Sequence, residues 1–138
     1  MSQPDFTMDV PISFGHCDPA QIVFYPNYFR WFDHCFHAFV LKRAGGHLAL
    51  CEEIGAHGLG LVDVGAQFLT PATANDVLTL ELRIEDWTSR TLRLAYKGRV
   101  GERTVLTGFE VRAVFVQKNG RMRAGDTAPL RERLEVAG

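Results

Sequence analysis

GHCDPAQIVFYPNYFRWFD, residues 15–33, is the stretch on which the reading of this chain turns. A carboxylate, Asp18, stands before Pro19, and a second proline, Pro26, opens an apolar run. Proline suits the first helical position, where its missing N–H has no intrahelical partner, so a helix is expected from near Pro26. Phe29, Phe32, Phe36, Phe39 and Val40 then recur at steps of three and four residues, the period of one helical face. Tyr28, Trp31, Cys35, Ala38 and Leu41 widen that stripe. A helix apolar over most of its girth calls for protein on most sides. Gly45-Gly46 supplies its stop. A short second helix is expected around Leu48 to Ile54, closing near Gly55.

Either side of the helix the period is two. Phe6 to Phe14 alternates loosely and reads as a strand, with Pro11 arguing for a sheet edge or a bulge. Leu61 to Leu69, Val77 to Trp87, Thr91 to Val100 and Val105 to Gln117 follow as strands. Gly101-Glu102 makes a tight hairpin, and Asn119-Gly120 is a favoured type I′ turn pair. Strands in series with short turns make an antiparallel sheet, and one long inserted helix makes the fold class α+β. The expectation is a single domain over residues 1–138, with about five strands curled around the central helix. An open sheet leaves unpaired edges, so a homo-oligomer is expected.

Bulk properties narrow the function classes. The chain is 46% hydrophobic and 22% charged, a globular balance, and its formal net charge of −1 makes a nucleic-acid partner a poor reading. The start, Met1-Ser2-Gln3-Pro4-Asp5, lacks the basic and apolar regions of a secretory signal, and no run reaches the ~20 apolar residues of a membrane span. Three cysteines, at 17, 35 and 51, suit free thiols in a reducing compartment, so a cytoplasmic location away from membranes is expected.

The motif Asp18-Pro19-Ala20, Ile22-Val23-Phe24-Tyr25-Pro26-Asn27-Tyr28, then Arg30-Trp31 and Asp33, resembles that of the hotdog-fold acyl-CoA thioesterases, in particular the branch acting on 4-hydroxybenzoyl-type thioesters. A weaker likeness extends through Asn75-Asp76-Val77-Leu78-Thr79-Leu80-Glu81 and Trp87. The resemblance implies that Asp18 is the catalytic carboxylate and that the backbone N–H of Tyr25 polarises the thioester carbonyl. It implies that Asp33 holds a ring hydroxyl at the far end of the acyl pocket. It also implies an acyl-CoA substrate, no metal, no cofactor beyond the coenzyme A of the substrate, and a homotetramer built as a dimer of dimers with sites at subunit interfaces. The chain departs from the pattern twice. Gln21 stands where glycine is usual, which requires strain or another turn if that position has positive φ. After Trp87 a basic cluster that contacts coenzyme A phosphates is reduced to Thr88-Ser89-Arg90, leaving Arg90 as the substrate-binding cation there.

The chemistry is coherent. Attack on a thioester builds charge on oxygen, and a helix start offers unpaired N–H donors. Pro26 cannot donate, which turns attention to the Tyr25 amide. Asp18 either attacks directly or activates water. Asp33, eight residues beyond Tyr25, lies about 12 Å along the helix, a reach suited to an aromatic acyl group. Facing an apolar slot, its carboxylate would select a hydroxyl donor. The alternatives are a short-chain or general acyl-CoA thioesterase of the same fold and a non-catalytic acyl-CoA-binding domain. Histidine at the Tyr25 position and glutamate at the Asp33 position, common in general thioesterases, are absent here. Cys17 reads as a small packed thiol rather than a nucleophile. His34 and His37 lack further ligands at metal spacing. Arg121, Arg123, Arg131 and Arg133 form a basic tail, a solvated face by default and a phosphate contact as the alternative.

Overall fold

A computed structural model of the protein describes residues 3–135. Strand β1 (Phe6–Pro11) is followed by a single 3₁₀ turn (Phe14–His16), helix α1 (Pro26–Ala44) and helix α2 (His47–Ile54). Then come β2 (Gly58–Phe68), β3 (Val77–Trp87), β4 (Thr91–Val100), β5 (Arg103–Lys118), β6 (Arg121–Ala124) and helix α3 (Ala128–Leu134). The sheet is antiparallel in the order β1-β3-β4-β5-β2. Phe115 pairs with Gly58 of β2 on one side and Ala124 of β6 on the other, so β6 continues the line of β4.

The sheet curls around α1 because its inward residues and the helix stripe share one core. Leu78, Leu80 and Leu82 of β3, Leu92, Leu94 and Tyr96 of β4, and Leu106 of β5 are buried with Phe32, Phe36, Phe39 and Val40 of α1. Burying each such side chain contributes about 1.5–3 kcal/mol. Gly108 makes room for the helix, since a Cβ there would lie 2.6 Å from the Phe32 ring, which stacks on Tyr96 at 4.4 Å. Gly45 and Gly55 close their helices in the left-handed conformation, and Asn119 and Gly120 both take positive φ, as the type I′ reading requires.

Four expectations change. β1 ends at Pro11 rather than Phe14, because Pro11 pairs with Val77, where β3 itself begins, and Ile12–Phe14 have no strand to extend along. Leu41 does not widen the buried stripe; it is 63% exposed, one 100° step beyond Val40. Among the described residues the sheet has six strands, with β6 added after the Asn119-Gly120 turn. The basic tail is not one face. Arg121 and Arg123 lie on β6, while Arg131 and Arg133 lie on α3, which buries Leu130 and Leu134. Arg131 pairs with Glu135 and Arg133 with Glu53.

Candidate functional site

The segment before α1 folds back as a small hairpin. Cys17 bridges Val23, the Asp18 N–H donates to the Ile22 carbonyl (3.0 Å), and the Gln21 N–H donates to the Asp18 carbonyl (2.8 Å). The turn places Gln21 at φ 68°, so glutamine adopts the left-handed conformation that glycine would take without penalty. At the first departure from the motif, then, φ is positive and glutamine bears the strain.

Two bonds tie this hairpin to the helix start. The Phe24 N–H and the Asn27 side-chain amide both donate to the His16 carbonyl, each at 2.9 Å. Asp18 is therefore held beside the beginning of α1. Its Oδ1 accepts from the Ala20 N–H at 2.8 Å, while Oδ2 has no partner among the described residues. The carboxylate lines a depression of about 360 Å³ with Cys17, Phe24, Asn27 and Arg30. A second, apolar depression of about 300 Å³ lies between Tyr25, Tyr28, Phe68 and Leu69. The Tyr25 side chain belongs to this second hollow rather than to the Asp18 cleft.

The amides at the helix start divide unequally. Pro26 has none. The Asn27 N–H donates to the Phe24 carbonyl (3.0 Å) and the Tyr28 N–H to the Tyr25 carbonyl (3.1 Å). The Tyr25 N–H has no acceptor among the described residues, and the residue is 58% exposed. A free donor at the positive end of a helix favours negative charge. The half-buried Asp18 carboxylate faces the same helix start through Phe24 and Asn27, so a carboxylate and a free helix-end donor, the two groups that acyl transfer to water calls for, both belong to this end of α1.

Asp33 sits two turns on, but its surroundings differ from the expected apolar slot. The carboxylate is 52% exposed, and its Oδ1 accepts from Arg112 Nη2 at 2.8 Å. Arg112 and Glu110, at inward positions of β5, were not anticipated. Glu110 Oε1 accepts from the Tyr96 hydroxyl (2.7 Å) and Arg112 Nε (3.1 Å), and Oε2 accepts from Arg112 Nη2 (3.0 Å). Burial works against the guanidinium charge, yet Glu110 and Asp33 outweigh it and raise the Arg112 pKa above the ordinary arginine value. A signal existed: on the inward face Leu106, Gly108, Glu110, Arg112 and Val114 alternate, so the opposite charges two residues apart had to meet inside.

His37 lies 3.4 Å from Asp33, with its pKa lowered chiefly by burial, helped by Arg112 and His47 and opposed by Asp33. It is neutral near pH 7, which leaves Arg112 as the charge partner of Asp33. Among the described residues no group of three or more His, Cys, Asp or Glu is arranged to hold a metal ion. Burial, with Glu110 adding, pushes the Cys35 thiol up to about 12, so it is an inert core group. Arg90, on the turn between β3 and β4, lines a cleft of about 540 Å³ with Lys118 and Arg123. At the second departure, Arg90 has basic neighbours from the β5–β6 hairpin rather than from its own turn. Among the described residues no helix is long and apolar enough to cross a membrane.

A profile of the thioesterase superfamily matches residues 20–107. The chain is 39% identical over 82 residues to 4-hydroxybenzoyl-CoA thioesterase of Pseudomonas sp. (strain CBS-3), a match covering 59% of this chain and 58% of that relative's length. Over the fold it is similar to the solved structure of 4-hydroxybenzoyl CoA thioesterase from the same strain, with a TM-score of 0.81, 30% identity, and 93% and 96% of the two chains covered. A 1,4-dihydroxy-2-naphthoyl-CoA thioesterase from Synechocystis matches with a TM-score of 0.78 at 15% identity over 94% of each chain, a likeness of fold alone.

Proposed function

The chain belongs to the thioesterase superfamily, and on that premise we propose that it hydrolyses an acyl-CoA thioester with an aryl, 4-hydroxybenzoyl-type acyl group to the free acid and coenzyme A. One observation carries the reading. Among the described residues Asp18 keeps one carboxylate oxygen without a partner and the Tyr25 N–H has no acceptor, and the bonds from the Phe24 N–H and the Asn27 amide to the His16 carbonyl tie the Asp18 hairpin to the helix start where that N–H lies. The thioester oxygen takes the Tyr25 N–H, and that donor strengthens as the tetrahedral oxyanion forms, a contribution of about 3–4 kcal/mol at other such sites. Asp18 removes a proton from water as the water oxygen attacks the acyl carbon. Collapse breaks the C–S bond and the proton passes to the departing thiolate. Direct attack by Asp18, through a mixed anhydride that water then opens, uses the same placement.

The remaining roles are proposed from the resemblance and from the charges that the fold gathers. Asp33 accepts from a ring hydroxyl, and the similarity to a 4-hydroxybenzoyl-CoA thioesterase supports the aryl class. Arg90, Lys118 and Arg123 supply the positive charge that coenzyme A phosphates require. β2 is an edge strand whose Leu61, Val62, Val64 and Phe68 are exposed, and Asp33 is open to solvent in the single chain. Both features support a dimer that closes each site with its partner, and the resemblance extends this to a homotetramer built from such dimers.

Thiol release from 4-hydroxybenzoyl-, benzoyl- and butyryl-CoA tests the proposal. Asp18→Asn should lower turnover by about 10²–10⁴-fold while leaving the unfolding transition in place. Undiminished turnover in that variant, or a wild-type preference for butyryl-CoA, would overturn the assignment.

A further inference from the structure

We infer that Arg112 is a positioning residue for substrate selection. By clamping one oxygen of Asp33 it fixes the other as a hydrogen-bond acceptor, so the site takes aryl thioesters whose distal substituent donates a hydrogen bond and rejects those ending in an acceptor or an anion. This rests on the proposed function and assigns the chemistry of its selectivity.

Asp33 on its own would be a weak selector. It is 52% exposed on the helix, and an exposed carboxylate samples several rotamers and stays hydrated. Arg112 removes that freedom because the guanidinium is itself held on every nitrogen. Nε and Nη2 donate to Glu110, Nη1 donates to the Leu59 carbonyl at 3.2 Å, and the group lies 4.2 Å above the Phe36 ring. With its remaining bond going to Asp33 Oδ1, the guanidinium cannot follow the carboxylate, and the carboxylate conforms to it. Oδ2 has no partner among the described residues.

The charge arrangement sets the class of ligand. An ionised carboxylate accepts only. Two carboxylates face one guanidinium, and His37 beside them is neutral, so the cluster is net negative. A ring hydroxyl or amino group satisfies Oδ2. A methoxy oxygen leaves it unpaired, and a ring carboxylate is repelled. Arg112, only 3% exposed, cannot reach the substrate to reverse that preference. Stability alone does not explain the cluster, because apolar residues at two inward β5 positions would serve as well without desolvating charge.

The test compares kcat/KM for 4-hydroxybenzoyl-, benzoyl- and 4-carboxybenzoyl-CoA in wild type, Asp33→Ala, Arg112→Lys and their combination. Lysine keeps the charge and loses the fork. Arg112→Lys is expected to lower the hydroxybenzoyl-to-benzoyl ratio about tenfold or more, toward the Asp33→Ala value, with benzoyl-CoA kcat little changed. In the Asp33→Ala background the same substitution should leave the ratio where it is. Should Arg112→Lys not fold, the pair Glu110→Leu with Arg112→Leu, which leaves no unpaired buried charge, is expected to lose the ratio equally. An unchanged ratio, or a fall that also occurs without Asp33, overturns the inference while leaving the proposed function standing. A wild type that hydrolyses none of the three esters overturns both.

Discussion

Replacing Glu110 with leucine probes the buried charge at its least exposed member. Glu110 is 0% exposed and accepts three hydrogen bonds, two from Arg112 and one from Tyr96. The Tyr96 contact is recoverable, since its hydroxyl also lies 3.1 Å from the Phe32 carbonyl and can turn to it. The Arg112 contacts are not. The guanidinium, 3% exposed, would keep only the Leu59 carbonyl and the half-exposed Asp33. Stranding one partner of a buried pair costs about 3–5 kcal/mol. At roughly 2–4 °C per kcal/mol for a domain near this size, Tm should fall by about 6–20 °C. Adding Arg112→Leu removes the stranded charge and should return stability to within about 2 kcal/mol of wild type. Urea unfolding followed by far-UV circular dichroism measures both, at one fixed protomer concentration because assembly contributes to apparent stability. A cost under about 1 kcal/mol for the single variant would mean that the guanidinium is not desolvated. A double variant no better than the single would mean that lost packing, and not unpaired charge, sets the cost.

Two further outcomes are expected. Gln21→Gly should stabilise the protein by about 0.5–1 kcal/mol, the left-handed strain relieved less the extra backbone entropy of glycine; a urea midpoint that falls would show that the glutamine side chain repays its strain. Light scattering at micromolar protomer should report a tetramer, and a monomer would remove the interface on which closure of the Asp33 end depends.

Much of the fold was legible because it rests on local periodicity. The bounds of β3 and β4, the start of α1 at Pro26, the glycine stops and the Asn119-Gly120 turn follow from spacing and backbone preference, which neighbouring residues carry among themselves. α3 escaped notice because seven residues hold too short a pattern: Leu130 and Leu134 mark a face only once α1 is there to receive it. The strained turn at Gln21 was readable as a question, and the backbone answered it with a positive φ.

The site divides along the same line. The sequence alone determined that a carboxylate precedes a proline-started helix, and that Asp33 lies two turns along it, because those relations are separations along one chain. Tertiary structure alone decided what each group faces. The His16 carbonyl draws Asp18 to the helix start, and β5, 79 residues beyond Asp33, delivers the guanidinium that clamps it. Strand alternation sends Glu110 and Arg112 to the same face, but only the curl of the sheet around α1 turns that face toward the helix and removes the water that would otherwise solvate both charges.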